Sequence, residues 1–281
     1  MFLNAGFRLH FFQFERIKVR TYFLLRRPST LFVGQAFVDL PQVASTNAYA
    51  SELLSKSRPA EGTVISTFCQ THGRGQIGSG WESEPDKNIS LSVIFYPDFL
   101  AVKDQFLLNA FISLAVFDFV KNCLPERPVS IKWPNDIYVG TLKIAGILLQ
   151  NSLINTQIRS TVAGIGININ QTAFLSNPPN PTSLSLETGQ LFNLKDLVPL
   201  LCEFLEQRYL QLKAGKVVPL QQEYLRQLYR FAVPANYQRA NGQSFVGTIT
   251  GIDEIGRLKL DVGGTPEVFD LKEIRFISDE E

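Results

Sequence analysis

The sequence predicts an α+β chain: a mixed β-sheet backed by helices, followed by a small β-barrel. Three observations carry this expectation. Several β-rich runs flank one strongly apolar helical pattern over 104–122. Two further helical patterns, over 195–213 and 219–229, close the larger part of the chain. After Arg230 the texture changes to short strands and turns alone.

The 281 residues suit one large or two modest domains. Apolar residues make up 45%, enough for a sizeable core, and charged residues 19%. The net charge of +1 does not point to nucleic acid or a membrane surface. Cys69, Cys123 and Cys202 are odd in number and far apart, so neither a disulfide framework nor a CxxC knuckle is expected. With only His10 and His72, no His-rich metal site is expected, and no metal-ligating residue is assigned. No apolar run is read as reaching the ~20 residues of a membrane-spanning helix.

The first 36 residues stand apart. They carry Arg8, Arg16, Lys18, Arg20, Arg26 and Arg27 against Glu15 alone, while the remaining 21 basic and 25 acidic residues leave the rest of the chain at −4. Such an Arg-rich, acid-poor stretch reads as a basic extension with poor order, over 1–36. A transit segment, an upstream extension and a solvated arm all fit it. It is too short for a winged-helix DNA-binding domain.

The compact part is expected from Phe37, with a larger domain over 37–230 and the small one over 231–281. Ser45-Thr46 is a helix N-cap candidate before a helix over 47–56. Val64–Gln70 and Asn88–Tyr96 read as strands, and 129–133, 142–149 and 161–169 as three more. Residues 171–183 form a polar, Pro-rich loop. In the small domain, Leu258, Leu260 and Val262 alternate with Lys259 and Asp261, the pattern of a half-buried strand after the turn Asp253-Glu254-Ile255-Gly256.

Gly73-Arg74-Gly75-Gln76-Ile77-Gly78 matches GxGxxG, but Pro85 and the density of glycine oppose the helix that a dinucleotide fingerprint requires. No GK[ST] follows, so a Walker A loop is excluded. A glycine loop with Arg74 and Trp81 can curl its amides around an anion, and it can equally be a mobile surface turn. Lys132 ends a strand stopped by Pro134 and points away from Ile131 and Trp133. Taken alone, it is a solvated lysine or a site cation. Gly164-Ile165-Gly166-Ile167-Asn168 puts isoleucine on one face and Gly, Gly, Asn on the other. Either something approaches the glycines closely or a bulge lies there. Lys143 and Gln70 stand near the same sheet face.

These residues together resemble the biotin–protein ligase family. The resemblance rests on Ser45-Thr46-Asn47, Gln70, Gly73-Arg74-Gly75 with Trp81, Lys132-Trp133-Pro134-Asn135-Asp136, Lys143-Ile144-Ala145-Gly146, Gly164 to Asn168, and Thr182-Ser183-Leu184. It spans Phe37 to Ile277, and Gly247 to Asp253 resembles the family's SH3-like domain. The fold so implied is the class II synthetase-like catalytic domain of biotin and lipoate ligases.

The resemblance implies a two-step reaction. Biotin and Mg-ATP give biotinyl-5′-AMP, and the biotinyl group then passes to a lysine of a biotin carboxyl carrier domain of a carboxylase such as acetyl-CoA carboxylase. It assigns catalysis to Lys132 and Arg74. Biotin contacts fall to Ser45, Thr46, Asn47, Gln70, Gly73, Arg74, Gly75, Gln76 and Lys132. ATP contacts fall to Trp81, Lys132, Asn135, Lys143 and Asn168. Mg²⁺ would chelate the phosphate oxygens. Gln76 and Ser79 stand where many members carry arginine, which reduces the loop cations to Arg74. Neither sequence-specific DNA nor membrane is an expected partner, a homodimer through an extended sheet is admitted, and the expected location is the cytoplasm. A lipoate or octanoate ligase and a catalytically weak biotin-binding regulator are the alternatives; pyrophosphate release with biotin and ATP separates the regulator from the enzyme.

Overall fold

The computed structural model describes residues 27–76, 79–175 and 180–277. Seven strands form one sheet: β1 (Phe37–Asp39), β2 (Val64–Thr67), β5 (Ile89–Phe95), β6 (Val129–Lys132), β7 (Asp136–Val139), β8 (Leu142–Ile154) and β9 (Gln157–Ile167). Their order is β1-β2-β5-β9-β8-β7-β6. Only the β1–β2 pair is parallel, so the sheet is mixed, as expected. A two-stranded ribbon, β3 (Gly73–Arg74) with β4 (Gly80–Trp81), holds the glycine loop. The expected strand-to-strand passage is there, and no helix follows the loop.

One sheet face carries Val64, Leu91, Val93, Ile165, Ile137 and Ile131 into the main core. That core is shared with α2 (Phe106–Cys123), α4 (Leu194–Lys213) and α5 (Val217–Arg226). The opposite face carries Ile65, Ile94 and Val162, which pack with Leu40 and with Ala50 of α1 (Thr46–Lys56). Helix α1 therefore covers half of that second face and leaves the other half to a cavity. Its start follows the sequence signal: Ser45 is extended at φ −154° and its hydroxyl accepts from the Ala48 N–H. The short α3 (Leu184–Thr188) was not expected; Ser183 caps it and Gly189 ends it in the left-handed region.

Helix α2 corrects one expectation. The helical stretch Val102–Cys123 that contains it has an 18-residue window of mean hydropathy 1.5, long and apolar enough to cross a bilayer by composition alone. The run was hidden by Asp118 and Asn109 within it. Helix α2 is apolar on most of its surface because it packs against both the sheet and α4.

The boundary at Phe37 is also corrected. Residues 28–36 belong to the compact body: Val33 is fully buried, and the N–H groups of Leu31, Phe32 and Val33 donate to the buried Glu206 carboxylate at 2.6, 2.8 and 3.0 Å. An acceptor on α4, 170 residues away in sequence, leaves no local signal. The rest of the expected extension, 1–26, lies outside the described residues.

The small domain contains β10 (Pro234–Arg239), β11 (Ser244–Ile252), β12 (Leu258–Val262), β13 (Thr265–Phe269) and β14 (Ile274–Phe276), all antiparallel in the order β13-β12-β11-β10-β14. Its buried Ile249, Leu258, Leu260 and Phe269 are continuous with the main core. Trp133 Nε1 donates to the Gly256 carbonyl at 2.9 Å across the junction.

Candidate active site

The open half of the second sheet face is the floor of a cavity of about 300 Å³. The N-terminus of α1, the glycine loop, β7, β8, β9, Phe174 and Pro181 bound it.

At the α1 end the polar groups interlock. The Thr46 N–H donates to Gln70 Oε1 at 2.9 Å, and Thr46 Oγ1 lies 3.3 Å from the same oxygen. Ser92 Oγ lies 2.8 Å from Thr46 Oγ1 and donates to Asn47 Oδ1 at 2.6 Å. Asn47 Nδ2 donates to the Leu148 carbonyl at 3.1 Å. A Cβ at Gly164 would sit 2.2 Å from Asn47 Oδ1, so this glycine is required by the asparagine that lies on it. Ser45, Thr46, Asn47 and Gln70 all line the cavity.

The next glycine carries the tryptophan. A Cβ at Gly166 would lie 2.4 Å from the Trp81 ring, and one at Gly146 would lie 3.1 Å from it. The indole therefore lies against the backbone of β9 and β8. Asn168 follows at the end of β9, with its Nδ2 donating to the Thr182 carbonyl at 3.0 Å and its Oδ1 buried without a partner.

Arg74 and Lys143 bring two cations to the cavity, and Asp136 and Glu82 bring two carboxylates. Lys143 Nζ lies 2.8 Å from Asp136 and 5.8 Å from the Trp81 ring centroid. The pair is partly open to solvent, so its attraction is moderate and the lysine can exchange its partner for a stronger anion.

Lys132 is placed elsewhere. It is the cross-strand partner of Asp136, but β6 is the last strand and the side chain runs outward. Its Nζ donates to the Tyr138 hydroxyl at 3.0 Å and lies 5.3 Å from the ring centroid of Phe276 in the small domain. Burial lowers its pKa, and Asp136 partly offsets that. It does not line the cavity. Alternation along β6 gives the face of Lys132, not the lateral direction of a long side chain on an outermost strand.

Asn135 is also moved. It is buried, donates from Nδ2 to the Ile147 carbonyl at 2.7 Å and accepts from Gln76 Nε2 at 2.7 Å. It holds the glycine loop rather than lining the cavity. Gly73 likewise sits in the ribbon behind the lining, its would-be Cβ 2.2 Å from the Trp81 carbonyl oxygen. Arg74, Gly75 and Gln76 line the cavity. Asp136, Glu82, Gly146 and Phe174 were not assigned to the site from the sequence. Recognising β7 as a strand would have found Asp136, because its register sets it opposite Gly146.

The exit of the loop is fixed by a buried amide. Gln171 accepts from the Glu84 N–H at 3.0 Å and from Asn88 Nδ2 at 2.5 Å, and donates to Glu82 Oε1 at 3.1 Å. The strand that carries Trp81 is thereby tied to the segment that follows Asn168.

The site so arranged has amide-bonding groups at one end, two cations in the middle and an asparagine at the other end. Comparison with known proteins agrees with this picture. The sequence model of the biotin/lipoate A/B protein ligase family matches residues 40–170. The chain is 28% identical to the bifunctional ligase/repressor BirA of Bacillus spizizenii, over 89% of this chain and 80% of that protein. It is 29% identical to the biotin–[acetyl-CoA-carboxylase] ligase of Mycobacterium tuberculosis, over 85% of this chain and 89% of the relative. The fold is that of the Aquifex aeolicus biotin protein ligase in complex with biotin and ATP, with a TM-score of 0.71 at 22% identity, covering 86% of this chain and all of that one. Residues 40–170 of this chain thus match the biotin/lipoate A/B protein ligase family, and the whole described body shares its fold with a solved biotin protein ligase.

Proposed function

We propose that the chain is a biotin–protein ligase. In the first step a biotin carboxylate oxygen attacks the α-phosphorus of ATP, forming biotinyl-5′-AMP and releasing pyrophosphate. In the second, the ε-amine of a carrier-domain lysine attacks the acyl carbon, forming the amide and releasing AMP. The observation that carries this reading is the single cavity in which Thr46 and Gln70, the cations Arg74 and Lys143, and Asn168 surround one glycine floor.

The first step brings two anions together, so fixed positive charge at the meeting point lowers its barrier. We assign that role to Lys143 with Arg74, and no longer to Lys132, because Lys143 stands in the cavity beside the indole. Thr46 and Gln70 offer the donor and acceptor that a ureido ring requires in a confined site. Asn168 Oδ1 is a free acceptor for a base amine. No cluster of three His, Cys, Asp or Glu side chains suited to a metal exists among the described residues. Two lining carboxylates, Asp136 and Glu82, fit a Mg²⁺ that arrives on ATP and keeps phosphate and water ligands. There Mg²⁺ would neutralise phosphate charge.

The acceptor in this reading is a biotin carboxyl carrier domain. Operator DNA is not part of it, since residues 37–281 carry a net −4. The test is ATP-dependent transfer of labelled biotin to a carrier domain, with pyrophosphate release measured in parallel. Label on the carrier supports the reading. Absence of both label and pyrophosphate, with folded protein, rejects it; preferential transfer of octanoate or lipoate moves it to the other branch of the family.

A further inference from the structure

The second sheet face carries another cavity, of about 430 Å³, on the far side of α1. It shares elements with the first cavity but no lining residue. Helix α1 lends Thr46 and Asn47 to the first and Ser51, Leu54 and Ser55 to the second. Strand β8 lends Gly146 and Leu148 to the first and Gln150 and Ser152 to the second. A β-bulge then supplies charge. Ser152 stands opposite Ser160, and the next pair is Leu153 with Ile158, so Arg159 has no partner on β8. The extra residue reverses the alternation of β9: Ile158 packs into the main core, whereas Val162 packs on the second face. Bulges re-aim side chains, and here Arg159 lines the second cavity together with its neighbour Ser160.

Arg58, two residues beyond α1, lines the same cavity, with its guanidinium carbon 5.0 Å from the Tyr96 ring centroid. Burial raises the Tyr96 pKa; Arg58 opposes that rise, Glu61 adds to it and Arg159 opposes it. Both guanidinium groups therefore stand within electrostatic reach of one phenol. Among the described residues no carboxylate lines this cavity, and neither arginine forms an ion pair. The Glu61 carboxylate is engaged outside it, by the Tyr96 N–H at 2.9 Å and the Tyr209 hydroxyl at 2.6 Å. Ser160 is 5% exposed, and its hydroxyl makes no hydrogen bond among the described residues. A hydroxyl so buried ordinarily has a partner. Two like charges at one cavity repel each other until an anion joins them.

We infer that this second cavity binds a phosphate group, held by Arg58 and Arg159 and hydrogen-bonded by the Ser160 hydroxyl. The guanidinium fork matches two oxygens of a tetrahedral oxyanion, and two forks with one hydroxyl can engage all of them. The phosphate can be free or carried on a small organic molecule, for which Leu54 and Val162 provide apolar wall and Gln150 an amide. The inference does not depend on the ligase reading, because binding is measured without the reaction.

The test titrates the full chain with inorganic phosphate and with ribose 5-phosphate, at constant ionic strength against chloride, by calorimetry and by Tm. The expected result is saturable binding with a matching rise in Tm. Arg58→Gln and Arg159→Gln should each weaken it about tenfold, and Ser160→Ala about 2–10-fold. Arg159→Lys keeps the charge without the fork and should fall between the unaltered protein and Arg159→Gln. Lys143→Ala, in the first cavity, should leave this binding unchanged. Without phosphate, the arginine variants should melt no lower than the unaltered protein, because no ion pair is lost. Equal affinity for the two probes identifies the free oxyanion as the ligand, and tighter ribose 5-phosphate identifies an organic phosphate; both support the site. Chloride acting as well as phosphate, or unchanged binding in both arginine variants, overturns it. Loss of binding in Lys143→Ala alone would place the phosphate in the first cavity and overturn it as well.

Discussion

Lys143 Nζ lies 2.8 Å from the Asp136 carboxylate at the edge of the cavity. On the other side of that aspartate, Lys132 gives its amine to Tyr138 outside the cavity. Two lysines thus flank one carboxylate, and only one of them can meet a ligand on the glycine floor. Lys143→Ala should lower kcat/KM for adenylation about 10²–10³-fold, the scale for removing a preorganised charge from a developing anion. Lys132→Met, which keeps the stem against Phe276, should stay within about fivefold of the unaltered protein in the same pyrophosphate assay. The reverse order would return the central role to Lys132.

The second prediction concerns the loop. The Gln76 side-chain amide is bonded to buried Asn135 at 2.7 Å. Asn135 in turn holds the Ile147 carbonyl. A neutral amide pair therefore ties the glycine loop to the turn between β6 and β7. Gln76→Ala removes about 0.5–1.5 kcal/mol of this tie, equivalent to roughly 2–10-fold in an equilibrium. The expected outcome is faster dissociation of biotinyl-5′-AMP by that factor, measured by chase of labelled adenylate. An unchanged rate would mean that the Gln76–Asn135 bond does not hold the loop over the product.

How much of this could be read beforehand depends on the range of each interaction. The Ser45 cap, the apolar pattern of α2 and the two glycines of β9 are local signals, and each led to the right element or gap. Strand β7 has four residues between the Pro134-Asn135 turn and Gly140. That is too short for alternation to stand out, and without it Asp136 could not be placed opposite Gly146, nor Lys143 opposite Tyr138. Lys132 was given the correct face and the wrong destination, because the last strand of a sheet lets a long side chain leave sideways. The Glu206 clamp on residues 31–33 joins parts of the chain that share no local pattern.

The third prediction tests the helical layer. Buried Arg208 of α4 grips Asp118 of α2 at 2.6 and 3.1 Å and Glu223 of α5 at 2.6 and 2.7 Å. Arg208→Met leaves two carboxylates without their cation and should cost about 3 kcal/mol in denaturant unfolding. The two acids then respond to pH in opposite senses. Hydrogen bonding to Arg208 lowers the Glu223 pKa below 4.5, so its contribution is complete above that value and is lost as pH falls through the lowered folded value. Burial raises the Asp118 pKa above 3.8, so acidification relieves part of its cost. Glu223→Gln should therefore be less stable by up to about 1 kcal/mol at neutral pH, with the gap closing as the pH falls through the lowered folded value. A gap that widens on acidification would contradict this assignment.

Gly256 is where the two domains meet most tightly. Its φ of +94° is disfavoured for any side chain, and a Cβ there would lie 1.9 Å from the Phe106 ring at the start of α2. Its carbonyl also accepts the Trp133 indole N–H. Gly256→Ala should thus incur both backbone strain and a clash. Gly242 separates the two effects: it has a φ of +88°, and nothing lies within 4 Å of its would-be Cβ. Gly242→Ala should cost only the strain, about 1–2 kcal/mol. Gly256→Ala should cost about 2 kcal/mol more, because an aromatic ring in a close-packed junction must move. The same variant should raise the KM for ATP, since Trp133 is three residues from Asp136 and the turn between them carries Asn135. Equal destabilisation by the two alanines would show that the Phe106 contact is soft and that the small domain does not brace the cavity wall through this turn.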